Sequence, residues 1–152
     1  MTTPAFPAAP AFVWPVRVYY EDTDAGGVVY HANYIRFMER ARTEFLRHLG
    51  FVLNVLEREQ RLIFAVRDLS VDFRRPARLN DLLGVSVDFE AVRAASLLFV
   101  QRISRDGMLL CEGRVRVAAL SADSFRPMAI PDFMLERLAR ESMTLTERIG
   151  GQ

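Results

Sequence analysis

Residues 33–49 carry the longest helical pattern in this chain, and it limits what the rest can build. Tyr34, Phe37, Met38, Ala41, Phe45, His48 and Leu49 recur at steps of three and four, while Arg36, Arg40, Arg42, Glu44 and Arg47 occupy the other faces. A stripe that wide needs a broad apolar surface to lie against. Asn33 is the expected N-cap and Gly50 the expected stop.

The segments C-terminal to the helix supply that surface. Beyond residues 52–60, which read as a short helix or an irregular link, four of them have strand character. Leu69, Val71 and Phe73 alternate with Asp68, Ser70, Asp72 and Arg74, and Val85, Val87 and Phe89 alternate with Ser86, Asp88 and Glu90. Leu97, Phe99 and Ile103 share one face of the third, and Cys111, Val115 and Val117 one face of the fourth. The breaks hold turn chemistry: residues 75–81, then 93–95, then Asp106-Gly107, a strong hairpin signal. Short links predict antiparallel neighbours. Residues 13–20 add one strand before the helix, running into a turn-rich segment at 21–27, and Pro131 opens a second, weaker helix with Phe133, Met134, Leu135 and Leu138.

These elements predict an α+β fold: one domain, with a curved antiparallel sheet of about five strands wrapped around one long central helix. The chain of 152 residues suits a single core. Residues 1–12, with Pro4, Pro7 and Pro10, read as a flexible leader, 13–141 as the domain and 142–152 as a flexible tail closing on Gly150-Gly151. A sheet wrapping one helix leaves an edge or a face to cover, so a dimer or tetramer is expected.

Composition removes several chemistries. All 20 basic residues are Arg, which excludes a Lys Schiff base, a Walker-type phosphate loop and a Ser/Lys dyad. Cys111 is the one cysteine, so neither an internal disulfide nor a thiolate zinc cluster can form. With a net charge of +1 there is no electrostatic footprint for nucleic acid, and no run approaches the ~20 apolar residues of a transmembrane segment. The leader lacks the basic start and sustained apolar run of a signal peptide, and a cytoplasmic location is expected.

Chemistry concentrates in Glu21-Asp22-Thr23-Asp24-Ala25-Gly26-Gly27-Val28-Val29-Tyr30-His31-Ala32-Asn33, which sets three carboxylates, two glycines and a histidine just before the helix. Gly26-Gly27 permits close backbone approach, and first-turn N–H groups near His31 can hold a developing oxyanion while a carboxylate activates water or attacks. As residues alone, Asp22, Asp24 and the glycines equally describe a turn with no catalytic role. An EF-hand fails because its twelfth position is Asn33, and zinc fails because His31 and His48 have no third ligand.

The run from Trp14 to Tyr34, with Glu39-Arg40-Ala41-Arg42-Thr43-Glu44, Pro76-Ala77-Arg78-Leu79-Asn80-Asp81, Ser96-Leu97-Leu98-Phe99-Val100-Gln101-Arg102-Ile103 and Arg126-Pro127, closely resembles the hotdog-fold thioesterases of the 4-hydroxybenzoyl-CoA thioesterase family. His31 in place of a Tyr, and a loop without Pro, point to its YbgC-type branch of acyl-CoA thioesterases, associated with the Tol-Pal system. The resemblance implies a homodimer or homotetramer with sites at the subunit interface, and neither metal nor cofactor. It assigns the catalytic carboxylate to Asp24 and the oxyanion N–H to His31, whose imidazole either joins the chemistry or only sits at the helix start. Gly26, Gly27, Val28, Tyr30 and Asn33 would line the substrate, while Arg93 and Ser96, with Arg102 nearby, would meet the CoA nucleotide. Asp22 and Glu21 would shape the loop, and Cys111 would be a buried structural thiol. Two functions fit: hydrolysis of an acyl-CoA thioester, or a hotdog binding module for acyl carrier protein or envelope machinery with little turnover.

Overall fold

The computed structural model describes residues 12–150, and its centre is the expected helix, α1, at His31–His48. Positions 1–11 of the expected leader and the last two of the expected tail lie outside the described residues. Tyr34, Phe37, Met38, Ala41 and Phe45 are all buried, and good helix formers fill most positions between them. The stop is the expected one. Gly50 sits at φ +96°, the Phe51 N–H donates to the Leu46 carbonyl at 2.8 Å and the Gly50 N–H to the Arg47 carbonyl at 2.9 Å, a Schellman closure. The start differs from expectation: Tyr30 is the N-cap, and Asn33 lies buried inside the first turn.

Among the described residues six strands form one sheet: β1 (Val13–Arg17), β2 (Leu62–Phe73), β3 (Leu82–Ser86), β4 (Asp88–Arg93), β5 (Ser96–Arg105) and β6 (Met108–Ser121). Residues 52–60 resolve into a helix, α2 (Leu53–Gln60), and the last helix is α3 (Asp132–Gly150), which runs through most of the stretch expected to fray. The sixth strand arises because the second alternating segment is broken at Val87 into β3 and β4, both paired to β5. Phe12, read as part of the leader, packs on Phe45 and Trp14, so the core begins one residue earlier. Among the described helices none is long and apolar enough to cross a membrane.

Strand order is where local pattern misleads. All pairs are antiparallel, but the order is β1-β3-β5-β6-β2, with β4 also on β5, so β2 and β3 do not touch. The link between them crosses the end of the β5–β6 hairpin. The Arg74 and Arg75 N–H groups donate to the Leu110 carbonyl at 2.9 and 3.0 Å, and Arg105 Nη1 donates to Asp81 Oδ2 at 2.6 Å. The hairpin itself is the expected one, with Asp106 and Gly107 at φ +51° and +77°, as a two-residue primed turn requires.

Leu97, Phe99, Ile103, Cys111, Val115 and Val117 form the buried face that holds α1. The approach is close at Gly113, where a Cβ would stand 2.6 Å from Met38 Sδ. The helix covers the sheet's edge only in part, meeting it at Phe73, whose ring lies 5.5 Å from that of Tyr34. On edge strand β2, Val66, Leu69 and Phe73 are 48, 40 and 48% exposed, an apolar edge of the kind that soluble proteins cover.

Candidate active site

The segment between β1 and α1 is built as a carboxylate holder. One turn of 3-10 helix, Tyr20–Asp22, ends on a buried Asp22 whose Oδ2 accepts the Tyr19 N–H at 2.8 Å and whose Oδ1 accepts from Asn33 Nδ2 at 3.0 Å. The Tyr30 N–H donates to the Asp22 carbonyl at 2.9 Å. Asp22 therefore staples the loop to the helix start, as its loop-shaping reading expects. Asn33 is spent on the same job, with Oδ1 accepting from Arg36 Nη1 at 3.4 Å, so its amide serves the loop instead of capping the helix.

Asp24 has the opposite character. It is exposed, and the Gly26 N–H donates to its Oδ1 at 2.8 Å, while Oδ2 has no protein partner among the described residues. The backbone closes a small ring around it: the Asp24 N–H donates to the Val28 carbonyl at 2.9 Å and the Gly27 N–H to the Asp24 carbonyl at 3.0 Å. Each glycine has a reason to be one. A Cβ at Gly26 would lie 3.1 Å from Asp24 Oδ1, and Gly27 stands at φ +77°.

A third segment braces the loop from behind. The Val29 N–H donates to the Ala77 carbonyl, the Ala77 N–H to Tyr34 Oη, both at 2.9 Å, and Val28 bridges Arg78. Burial pushes the Tyr34 hydroxyl above its ordinary pKa, its bond from Ala77 opposing, and the charge of Asp24 also acts on it. Through its backbone Asp24 is held to Val28, three residues before α1 begins. Tyr34 was legible only as core; an aromatic one turn inside a helix beside a polar loop was the available signal.

His31 is the first residue of α1, exposed, with its ring 4.6 Å from the Tyr30 ring and edge-on to Phe73 at 6.4 Å. No side chain caps the helix and no acid stands in its first turn. That leaves a helix N-terminus, with its partial positive charge, open beside a carboxylate. The two are the paired requirements of acyl transfer: a base or nucleophile, and donors for the oxyanion.

Arg93 and Ser96 are not brought to this loop within one chain. They face each other across the β4–β5 turn, whereas Arg105, at the other end of β5, reaches the Pro76–Asp81 link that braces the loop. Nine residue steps along β5 separate Ser96 from Arg105, roughly 30 Å of strand. Arg102 is paired with Glu112 at 3.1 Å and Asp88 at 3.9 Å. Cys111 is buried, and desolvation, with Asp72 and Glu112 adding to it, pushes its thiol up to about 12, which removes it as a nucleophile.

Residues 18–138 match the family model of the thioesterase-like superfamily. The chain belongs to that superfamily. It is 49% identical over 120 residues to the "Acyl-CoA thioesterase YbgC" of Haemophilus influenzae, covering 79% of this chain and 88% of that one. Among solved structures, a probable thioesterase from Bartonella henselae superposes with a TM-score of 0.76 at 34% identity, over 79% of this chain and 98% of its own. A DHNA-CoA thioesterase from Staphylococcus aureus superposes with a TM-score of 0.80 over 92% and 94% of the two chains; at 23% identity that likeness speaks for the hotdog fold alone.

Proposed function

We propose that this protein hydrolyses acyl-CoA thioesters, releasing free acid and CoA. The observation that carries this reading is the Asp24 carboxylate, fixed at one oxygen by Gly26 N–H and open at the other, beside the uncapped start of α1. With the thioester carbonyl lying on the His31 N–H, Asp24 either takes a proton from the attacking water or attacks to give an acyl anhydride that water opens. In both routes the oxyanion is held at the helix start, and its collapse expels the CoA thiolate. Gly26, Gly27, Val28 and Tyr30 form the rim over which the thioester lies, and Asn33 acts through Asp22.

The site is completed by a second copy. If β2 pairs antiparallel with the partner's β2 about Leu69, Phe73 lies opposite the partner's Ala65. In the sheet register Ala65, Ala118 and Ser96 stand in one row across β2, β6 and β5. The same two-fold therefore carries the partner's Ser96 and the partner's Arg93 toward the His31–Phe73 end of the first chain, where the CoA nucleotide would meet them. The exposed Val66, Leu69 and Phe73 support this edge as the interface. Acyl carrier protein is the alternative carrier of the acyl group, and a binding module the alternative function.

A thiol-release assay across acyl-CoA chain lengths tests the reading: turnover well above background is expected, and none with any chain length would leave the binding module standing. Arg93→Ala should raise KM for acyl-CoA with kcat little changed, because a phosphate contact is made equally in ground and transition states. The rise should be several-fold to about a hundredfold, and smaller at high salt. N-acetylcysteamine thioesters, which lack the nucleotide, should be hydrolysed equally by both proteins. An equal loss on them would remove Arg93 from carrier binding.

A further inference from the structure

Arg42 falls among the polar faces of α1 in the sequence, yet it is only 8% exposed. It borders a cleft of about 150 Å³ between α1, α2 and the inner face of the sheet, walled by Leu46, Leu53, Phe64, Leu97, Phe99 and Val117. An apolar cavity of about 150 Å³ holds a benzene, so a group of about six carbons fits. Arg42 Nη1 donates to Gln101 Oε1 at 2.9 Å, and Gln101, fully buried, is fixed by donating from Nε2 to the Met38 carbonyl at 2.9 Å.

That neutral amide is the guanidinium's one hydrogen-bond partner among the described residues, and no carboxylate there stands within ion-pair distance of it. A guanidinium keeps its charge and its five N–H donors when buried, so donors left over at a cavity wall favour whatever acceptor enters. Glu39 lines the same cleft and acts on Arg42 electrostatically. A second carboxylate would be repelled there, which leaves an uncharged oxygen as the favoured acceptor.

We propose that this cleft takes the acyl moiety, and that Arg42, positioned by Gln101, selects compact acyl groups carrying a hydroxyl or carbonyl oxygen at the end away from the thioester. The inference rests on the thioesterase reading and on its dimer. Along α1, His31 and Arg42 are eleven residues apart, about 16 Å, beyond the reach of a six-carbon chain held at His31 of the same subunit. The two-fold about Leu69 instead turns the Leu97–Val117 end of the partner's cleft toward the Asp24 loop.

The test uses two thioethers that cannot be hydrolysed, S-hexyl-CoA and S-(6-hydroxyhexyl)-CoA, titrated calorimetrically into the full-length wild type. The hydroxylated analogue should bind about tenfold tighter, as a hydrogen bond to a charged donor allows. Arg42→Met should reverse the order, because the hydroxyl would then enter an apolar cleft unpaired. A wild type that binds S-hexyl-CoA as tightly or more tightly, or that binds neither, overturns the proposal. The ratio is read on the wild type, so it decides even if Arg42→Met fails to fold. Failure of the thioesterase reading shows separately, as no thiol release from any acyl-CoA.

Discussion

Asp24→Asn should lower kcat by about two to four orders of magnitude, the range that a positioned base contributes, while leaving the melting temperature where it was. The amide preserves the acceptor at the Oδ1 position for the Gly26 N–H, so the loop keeps its shape. What disappears is the open oxygen's basicity and negative charge, and both hydrolytic routes need one of them. Steady-state kinetics beside a thermal melt check this, and a variant that keeps a tenth of wild-type kcat would remove Asp24 from the chemistry. His31→Ala is the internal comparison. The helix-start N–H survives that substitution, so a loss under tenfold is expected, and a loss as deep as that of Asp24→Asn would bring the imidazole into the reaction.

Leu69→Asp should turn the protein into a monomer by light scattering at micromolar concentration and cost about a hundredfold or more in kcat/KM. The reason lies on edge strand β2, where Leu69, opposite Val115 in the register, is 40% exposed between Val66 and Phe73 at the margin of the face that α1 covers. At a two-fold about this residue each introduced carboxylate would meet its own copy in a desolvated seam, which is far costlier than one exposed charge. Activity should fall with it, because in the proposed dimer the CoA end of the site comes from the other subunit. A Leu69→Asp protein that stays dimeric would move the interface elsewhere, and a fully active monomer would show that each chain carries a complete site.

Much of this molecule was legible locally. The step-three-and-four stripe of α1, the Gly50 stop, the Asp106-Gly107 turn and the inward rows of β5 and β6 follow from side-chain spacing and backbone preference, which act within a few residues. The loop motif was legible for a related reason. Asp24, Gly26 and Gly27 make their contacts with one another, so their arrangement is written in consecutive positions.

What spacing left open is what distant segments decide together. That Asp22 and Asn33 hold the loop while Asp24 stays open depends on how the 3-10 turn meets the helix. β2 lies at the far edge of the sheet, not beside β3, because the β5–β6 hairpin takes the place between them and the 74–81 link passes over its end. Arg42 looks solvated in a helical projection. It is buried because Gln101, on a strand 59 residues away, supplies its partner under α1. Helix and turn propensities are short-range energies that a reader can sum along the chain, whereas strand order and the burial of a charge are settled by which surfaces remain to be covered once the sheet has closed on the helix.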